Sequence, residues 1–281
     1  MSNVAVIEQT QANEIALILG TNDAPPQSGG GDRLPVLSVN SKRKDPQGRK
    51  IEEGTFFLKS EDEAVYAEKV KIRVLSQLFQ WIHFDSTEKK VVNRTLQIPN
   101  FRMEPRDSKG GLRCGKPTSK ALMQMSKAEQ KQYEDIKCNR ILRVLVSYTG
   151  KDADGKTVTL ENKPAIMFLK GSNFNPFEDE FVKALPKGAN FYDYWAEVSA
   201  EELVNGSVTY YVAHFKPELS KKAPLDQDTY DTMIHMASLI KKDNDRVEKQ
   251  HQDALRGIQA TDDAIDALDA LDADLADDLD D

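Results

Sequence analysis

The last twenty-two residues, Ala260 to Asp281, read ATDDAIDALDALDADLADDLDD and contain ten Asp with no Lys or Arg. A block of one sign this dense repels itself more strongly than its few Leu can offset by burial, so it is excluded from any core. The fold must be built from the residues before it, and the tail is expected to be a solvated element that interacts.

Charge is segregated along the chain. Residues 1–32 carry no Lys or Arg and four acids, Glu8, Glu14, Asp23 and Asp32. Residues 33–222 carry 33 basic and 25 acidic side chains, a net of +8, and residues 223–281 carry 5 basic and 17 acidic ones, a net of −12. The overall formal charge of −8 therefore conceals a basic body tethered to an acidic end. Sign asymmetry of this kind points to anionic partners for the body. The excess is concentrated further, because residues 86–150 hold 14 basic against 6 acidic side chains.

Composition shifts divide the chain into a flexible N-terminal arm (1–32), a β-rich body (33–222), a C-terminal helix (223–257) and a disordered acidic tail (258–281). The arm ends in Asp23-Ala-Pro-Pro-Gln-Ser-Gly-Gly-Gly, a linker composition. No apolar run approaches the ~20 residues that a membrane span needs, and the N-terminus lacks the basic region of a signal peptide. Two cysteines, Cys114 and Cys138, do not make a disulfide framework, so a reducing, cytoplasmic setting is expected.

Within the body, β-branched and aromatic residues alternate with charged ones, most clearly over Ala67–Phe84, where Val70, Ile72 and Val74 alternate with Lys69, Lys71 and Arg73. Strands are also expected at 33–39, 55–59, 90–98, 141–148, 157–160, 164–170 and 208–215. Asp154-Gly155 marks a hairpin turn. Ser126 with Glu129 three residues on forms a capping box for a short helix to Ile136, and Pro176–Leu185 reads as another. Asp226 to about Leu255 reads as one long helix whose first half is apolar on one face, with Tyr230, Met233, Ile234, Ala237 and Ile240. The expected class is mainly β: an OB-fold-like antiparallel barrel with insertions, one long C-terminal helix and a disordered tail. The pattern does not separate such a barrel from a β-sandwich.

The segment from Lys89 to Arg143 carries the chemistry. It interleaves Lys89, Lys90, Arg94, Arg102, Arg106, Lys109, Arg113, Lys116, Lys120 and Arg143 with Phe101 and with Pro and Gly that indicate loops. Single strands of nucleic acid are held by a basic groove that follows phosphates and by aromatic faces that stack bases. Phe174 and Phe177, in Gly171-Ser-Asn-Phe-Asn-Pro-Phe, are candidates for the same platform. The alternative for each ring, and for Phe191, Tyr192, Tyr194 and Trp195, is a plug at one end of the sheet system. A solvated basic surface is the plain alternative for the charges.

Other constellations fall away. Gly110-Gly-Leu-Arg-Cys-Gly-Lys-Pro-Thr resembles a phosphate-binding loop, but Pro117 stands where a hydroxyl would hold the metal. Cys114, Cys138, His83 and His214 lack the spacing of a zinc site. Glu178-Asp179-Glu180 reads as the acidic first turn of a helix. No catalytic constellation is recognised, so the chain is not expected to be an enzyme or to require a cofactor or metal.

The tail places Ile265, Leu268, Leu271, Leu275 and Leu279 on one helical face. Its acids Asp262, Asp263, Asp266, Asp269, Asp272, Asp274, Asp277, Asp278, Asp280 and Asp281 would bind a basic partner. A solubilising appendage is the alternative.

A basic β-rich body over residues 33–222 followed by the Asp-rich residues 260–281 resembles bacteriophage single-stranded DNA-binding proteins, in which an oligonucleotide-binding barrel precedes an acidic tail. The chain departs from many such proteins in closing on Asp278-Leu279-Asp280-Asp281 without an aromatic anchor. The resemblance implies sequence-nonspecific binding of single-stranded DNA in replication, recombination and repair. It also implies a tail that mimics DNA and recruits replication or recombination proteins, possible homo-oligomers, and residence in the bacterial host cytoplasm. Two other expectations stand beside it, a phage structural or assembly protein and a DNA-mimic inhibitor of a host nucleic-acid enzyme.

Overall fold

The computed structural model describes residues 34–45, 48–59, 64–85, 88, 90–112, 114–115 and 117–257. The N-terminal arm and the acidic tail lie outside the described residues. The protein is mainly β, a curled half-barrel sheet with one long C-terminal helix. Its strands are β1 (Val36–Val39), β2 (Phe56–Lys59), β3 (Lys69–Asp85), β4 (Lys90–Arg94), β5 (Ile136–Lys151), β6 (Thr157–Leu169), β7 (Trp195–Asn205) and β8 (Val208–Pro217). They form one sheet in the order β2-β1-β6-β5-β3-β7-β8, with β4 also on β3. All the pairings are antiparallel except that of β1 with β6.

The scaffold is the pairing of two long strands, β3 and β5, from Lys71↔Ser147 to His83↔Ile136. The other edge of β3 is divided between β7, along Lys69–Arg73, and β4, along Ile82–Asp85. Between them Phe79 bridges Ile98. The register shifts between Val74 and Ser76 and between Val146 and Tyr148. Such bulges bend and twist a strand, which is how strands this long curl.

The pleat sends alternate residues to opposite faces. One face carries Val70, Ile72, Val74, Leu142, Val144 and Val146 into the main core. That core is closed by a π-helical turn, Phe177–Phe181, whose two Phe rings stack with centroids 5.0 Å apart and are fully buried. Phe177 is thus a core residue and not part of an exposed platform, and the plug alternative holds for this ring. The opposite face carries Leu75 and Leu145 against Met236 of the helix α3 (Gln227–Leu255). Two short helices, α1 (Ser119–Gln124) and α2 (Lys127–Asp135), precede β5, and α2 carries the expected capping box between Ser126 and Glu129.

Two sequence expectations change, and one strand appears where none was expected. The strands expected at 157–160 and 164–170 are one strand, β6, which passes through Pro164 with Asn162 in the left-handed region at φ 50°. The helix expected at 176–185 is a π-helical turn followed by a 3-10 turn. The stretch from Trp195 is a strand, β7, which pairs with β8 from Ala196 to Asn205.

The outer edge of β8 is covered by side chains. Asn173 Nδ2 donates to the Tyr211 carbonyl at 3.1 Å and its Oδ1 accepts from the Ala213 amide at 2.6 Å. Glu180 Oε2 accepts from the Phe215 amide at 2.7 Å. These contacts occupy groups that an edge strand would otherwise offer to another chain. Glu180 also reaches His214 Nδ1 at 2.6 Å, while Glu201 meets Nε2 at 2.8 Å. Burial lowers the proton affinity of His214, but the two carboxylates outweigh it and the net pKa is raised.

Two predictions follow from this scaffold. A Cβ on Gly150 would lie 2.3 Å from the Tyr66 carbonyl oxygen, in the bridge where Tyr66 and Lys151 exchange backbone hydrogen bonds. Gly150→Ala should therefore lower the unfolding free energy by about 1–3 kcal/mol in urea denaturation. Protonated His214 donates to both carboxylates, so its contribution is full below its unfolded pKa of about 6.5 and fades as pH rises through the higher folded value. Urea midpoints of wild type against His214→Gln should converge as pH rises through that window, and parallel pH profiles would contradict the role of the pair.

Candidate functional site

Basic and aromatic side chains far apart in sequence meet around Phe79. This ring stands at the middle of β3, directly across from Arg140 on β5. The chain after β4 bridges back to Phe79 at Ile98 and then turns, with the Asn100 side chain accepting from the Arg102 amide at 3.0 Å. That turn presents Phe101 and Arg102. Phe174 arrives from the 3-10 turn after β6. Ring centroids lie 5.3 Å apart for Phe79–Phe101, 5.9 Å for Phe79–Phe174 and 6.0 Å for Phe101–Phe174, the last edge-to-face at 87°. Phe101 keeps 38 % of its surface exposed, and Arg102 lies 5.8 Å over its ring.

Arg140 underlies the cluster at 2 % exposure. Its guanidinium carbon sits 4.8 Å from the Phe174 centroid, 5.3 Å from Phe79 and 5.4 Å from Phe177. Nη1 donates to Gln77 at 2.8 Å and to Glu178 at 3.0 Å. Burial lowers the Arg140 pKa, with Glu178 acting the other way. The cation holds three rings from two separate segments, β3 and the loop after β6, by their electron-rich faces.

The adjoining loop is ordered by Asp107, which is buried. Asp107 Oδ1 accepts from the Asn93 amide group at 2.8 Å and from the Lys109 and Gly110 amides at 3.0 and 2.5 Å, and Oδ2 accepts from Leu112 at 3.0 Å. Burial pushes its pKa up, but these hydrogen bonds outweigh it and the carboxyl lies below its ordinary value. Lys109 is exposed beside this turn, and Lys120 is exposed on α1. The Cys114 thiol is pushed up to about 11 and that of Cys138 to about 12, in both chiefly by burial, so neither is a ready thiolate.

The expected groove is only partly assembled on the surface. Phe101, Arg102 and Phe174 are brought together, with Phe79 and Arg140 added. Lys90 pairs with Glu88 at the far end of β4, and Arg106 pairs with Glu248 of α3 at 2.6 Å. Arg94 and Arg143 correct the expectation most sharply. Arg94 is 4 % exposed and Arg143 3 %, because the second half of α3 lies over them. Asp243 of that helix forms an ion pair with Arg94, its Oδ1 lying 3.1 Å from Arg94 Nη1. Lys89, Arg113, Lys116 and the tail aspartates lie outside the described residues. Arg140 carries a signal in the sequence, since it adjoins the mostly apolar Ile141–Val146 of one strand and a cation must find partners when buried. Phe79 carried none beyond its place in a strand.

No family model, curated protein or solved structure matches the chain. No helix among the described residues is long and apolar enough to cross a membrane.

Truncating the two partners of the buried pair should have unequal effects. Glu178→Ala strands a buried guanidinium and should cost about 2–4 kcal/mol. Arg140→Met leaves a carboxylate that is 42 % exposed and hydrated, and should cost less than half as much. Urea denaturation of both variants decides, and equal losses would show that Arg140 is not held mainly by charge pairing.

Proposed function

We propose that the protein binds single-stranded DNA without sequence preference, in the replication, recombination and repair of DNA, and that the curled sheet serves it as an OB-like platform. The observation that carries this reading is the partly exposed Phe101–Phe174 pair beside Arg102, mounted on Phe79 and Arg140. An edge-to-face ring pair next to a cation offers a base a stacking face and its phosphate a counter-charge. The neighbouring turn, with Lys109 exposed, extends the positive surface along a strand's path. The acidic residues 260–281 compete with DNA for this surface and, once displaced, are free to recruit proteins of the replication machinery.

The test is fluorescence anisotropy of a labelled dT oligonucleotide across a salt series. Phe101→Ala combined with Phe174→Ala should weaken binding by about 1–3 kcal/mol for each ring that stacks a base, and should leave the salt slope unchanged because rings release no counterions. Arg102→Ala should instead reduce the slope by about 0.7. Deleting residues 260–281 should tighten binding at low salt. Absence of binding by every form would overturn the reading.

A further inference from the structure

The sheet face beneath α3 carries more positive charge than the helix neutralises. Arg94 and Arg143 enter it from β4 and β5, and Asp243 is the carboxylate that meets them. Arg143 Nη2 donates to Gln97 Oε1 at 2.8 Å, and Gln97 Nε2 passes the contact on to Asp243 Oδ2 at 2.7 Å. Asp243 thus serves Arg94 directly and Arg143 through Gln97, with Arg246 4.0 Å away. Arg94 Nε and Nη2 and Arg143 Nε and Nη1 are buried with no partner among the described residues. Burial brings the Arg143 pKa down to about 10, with Asp243 acting the other way. A guanidinium normally has its donors met when it is buried. Arg73, beneath the start of the same helix, has them met. It donates to the carbonyls of Tyr192, Ala223 and Pro224 and to the Thr229 hydroxyl.

The helix is attached differently along its length. Its first half is held by Arg73 and by Met236 packed on Leu75 and Leu145. Beyond Met236 the only described residue of α3 that is buried is Val247. Further hydrogen bonds join this half to the sheet side, those of Asn244 with both backbone groups of Gln97, Glu248 with Arg106, and His251 with the Asp107 carbonyl. Two carboxylates, Asp243 and Glu248, stand where they engage Arg94, Arg106 and, through Gln97, Arg143. The ten aspartates of residues 260–281 follow directly on this half.

We infer that the sheet face holding Arg94, Arg106 and Arg143 is a second phosphate-binding surface for single-stranded nucleic acid, occupied in this conformation by Asp243 and Glu248 of α3 and exposed when the second half of that helix lifts. This rests on the proposed single-strand binding and extends it from the aromatic platform to the covered face. The helix acts as an internal competitor, and four guanidinium nitrogens with no partner among the described residues are the reserve that a phosphate would satisfy.

Hydrogen exchange of the full chain, with and without a saturating dT oligonucleotide, reads the lift directly. Protection of residues 241–255 should fall on binding while β3 and β5 stay protected. Asp243→Asn combined with Glu248→Gln should tighten oligonucleotide binding about tenfold and steepen the salt slope by roughly 1.4, about 0.7 for each of two phosphates gained. Thermal unfolding of this variant must remain cooperative for that comparison, and the wild-type exchange experiment is independent of it. Wild-type binding with unchanged or raised protection of 241–255 overturns the covered surface and leaves the aromatic platform standing. Binding by the charge variant alone supports the covered surface, and no binding by either protein overturns both readings.

Discussion

Four guanidinium groups among the described residues enter the interior of this protein, and much of its architecture is arranged to meet them. Arg73, Arg94, Arg140 and Arg143 lie on β3, β4 and β5, each at 4 % exposure or less. An arginine retains its charge when buried, so its neighbourhood must supply carboxylates, carbonyls or ring faces. Arg73 is met by backbone carbonyls and by the first turn of α3. That meeting fixes where the helix starts its path over the sheet. Arg140 is met by rings, Gln77 and Glu178, which fixes the loop after β6 against β3. Arg94 and Arg143 are met by Gln97 and Asp243, which draws the polar half of α3 onto the sheet.

Lysine in these places would not produce the same structure. Its ammonium has no flat face to lie between Phe79, Phe174 and Phe177, and its three donors do not form the planar fork that reaches several carbonyls at once, as Arg73 does. The four arginines therefore act as connectors between segments distant in sequence. They also explain how a sheet with two long, strongly curled strands is closed on both faces by few regular elements. Phe177 and Phe181 close one face, and α3 closes the other.

The strands that alternate were legible because the pleat writes itself into the order of residues. Val70, Ile72 and Val74 point one way, and Lys69, Lys71 and Arg73 the other. The capping box at Ser126 and the turn at Asp154-Gly155 were legible because both are local. What escaped was set by distant partners. Pro164 reads as a boundary, yet β6 runs through it because β5 pairs on both sides. Trp195 to Asn205 alternates only through Ala196, Val198 and Ala200, two of them too small to signal a strand, and pairing with β3 and β8 makes it one. Arg94, Arg106 and Arg143 counted as groove cations because their counter-charges sit on a helix far along the chain. A tally of charge by segment cannot register a pairing between segments.

The second half of α3 is the instructive case. Its sequence is almost wholly polar, which suggests a solvated helix leading out to the tail. It docks nonetheless, because the face it meets is polar too. Apolar docking is insensitive to charge in the surroundings, whereas docking through Asp243, Asn244, Glu248 and His251 responds to any anion that competes for the same arginines. The two halves of one helix therefore differ in what can displace them. Met236 anchors the first half against Leu75 and Leu145. Among the described residues, the second half has one buried apolar side chain, Val247, and is otherwise joined to the sheet by the kind of contact that a phosphate backbone also makes.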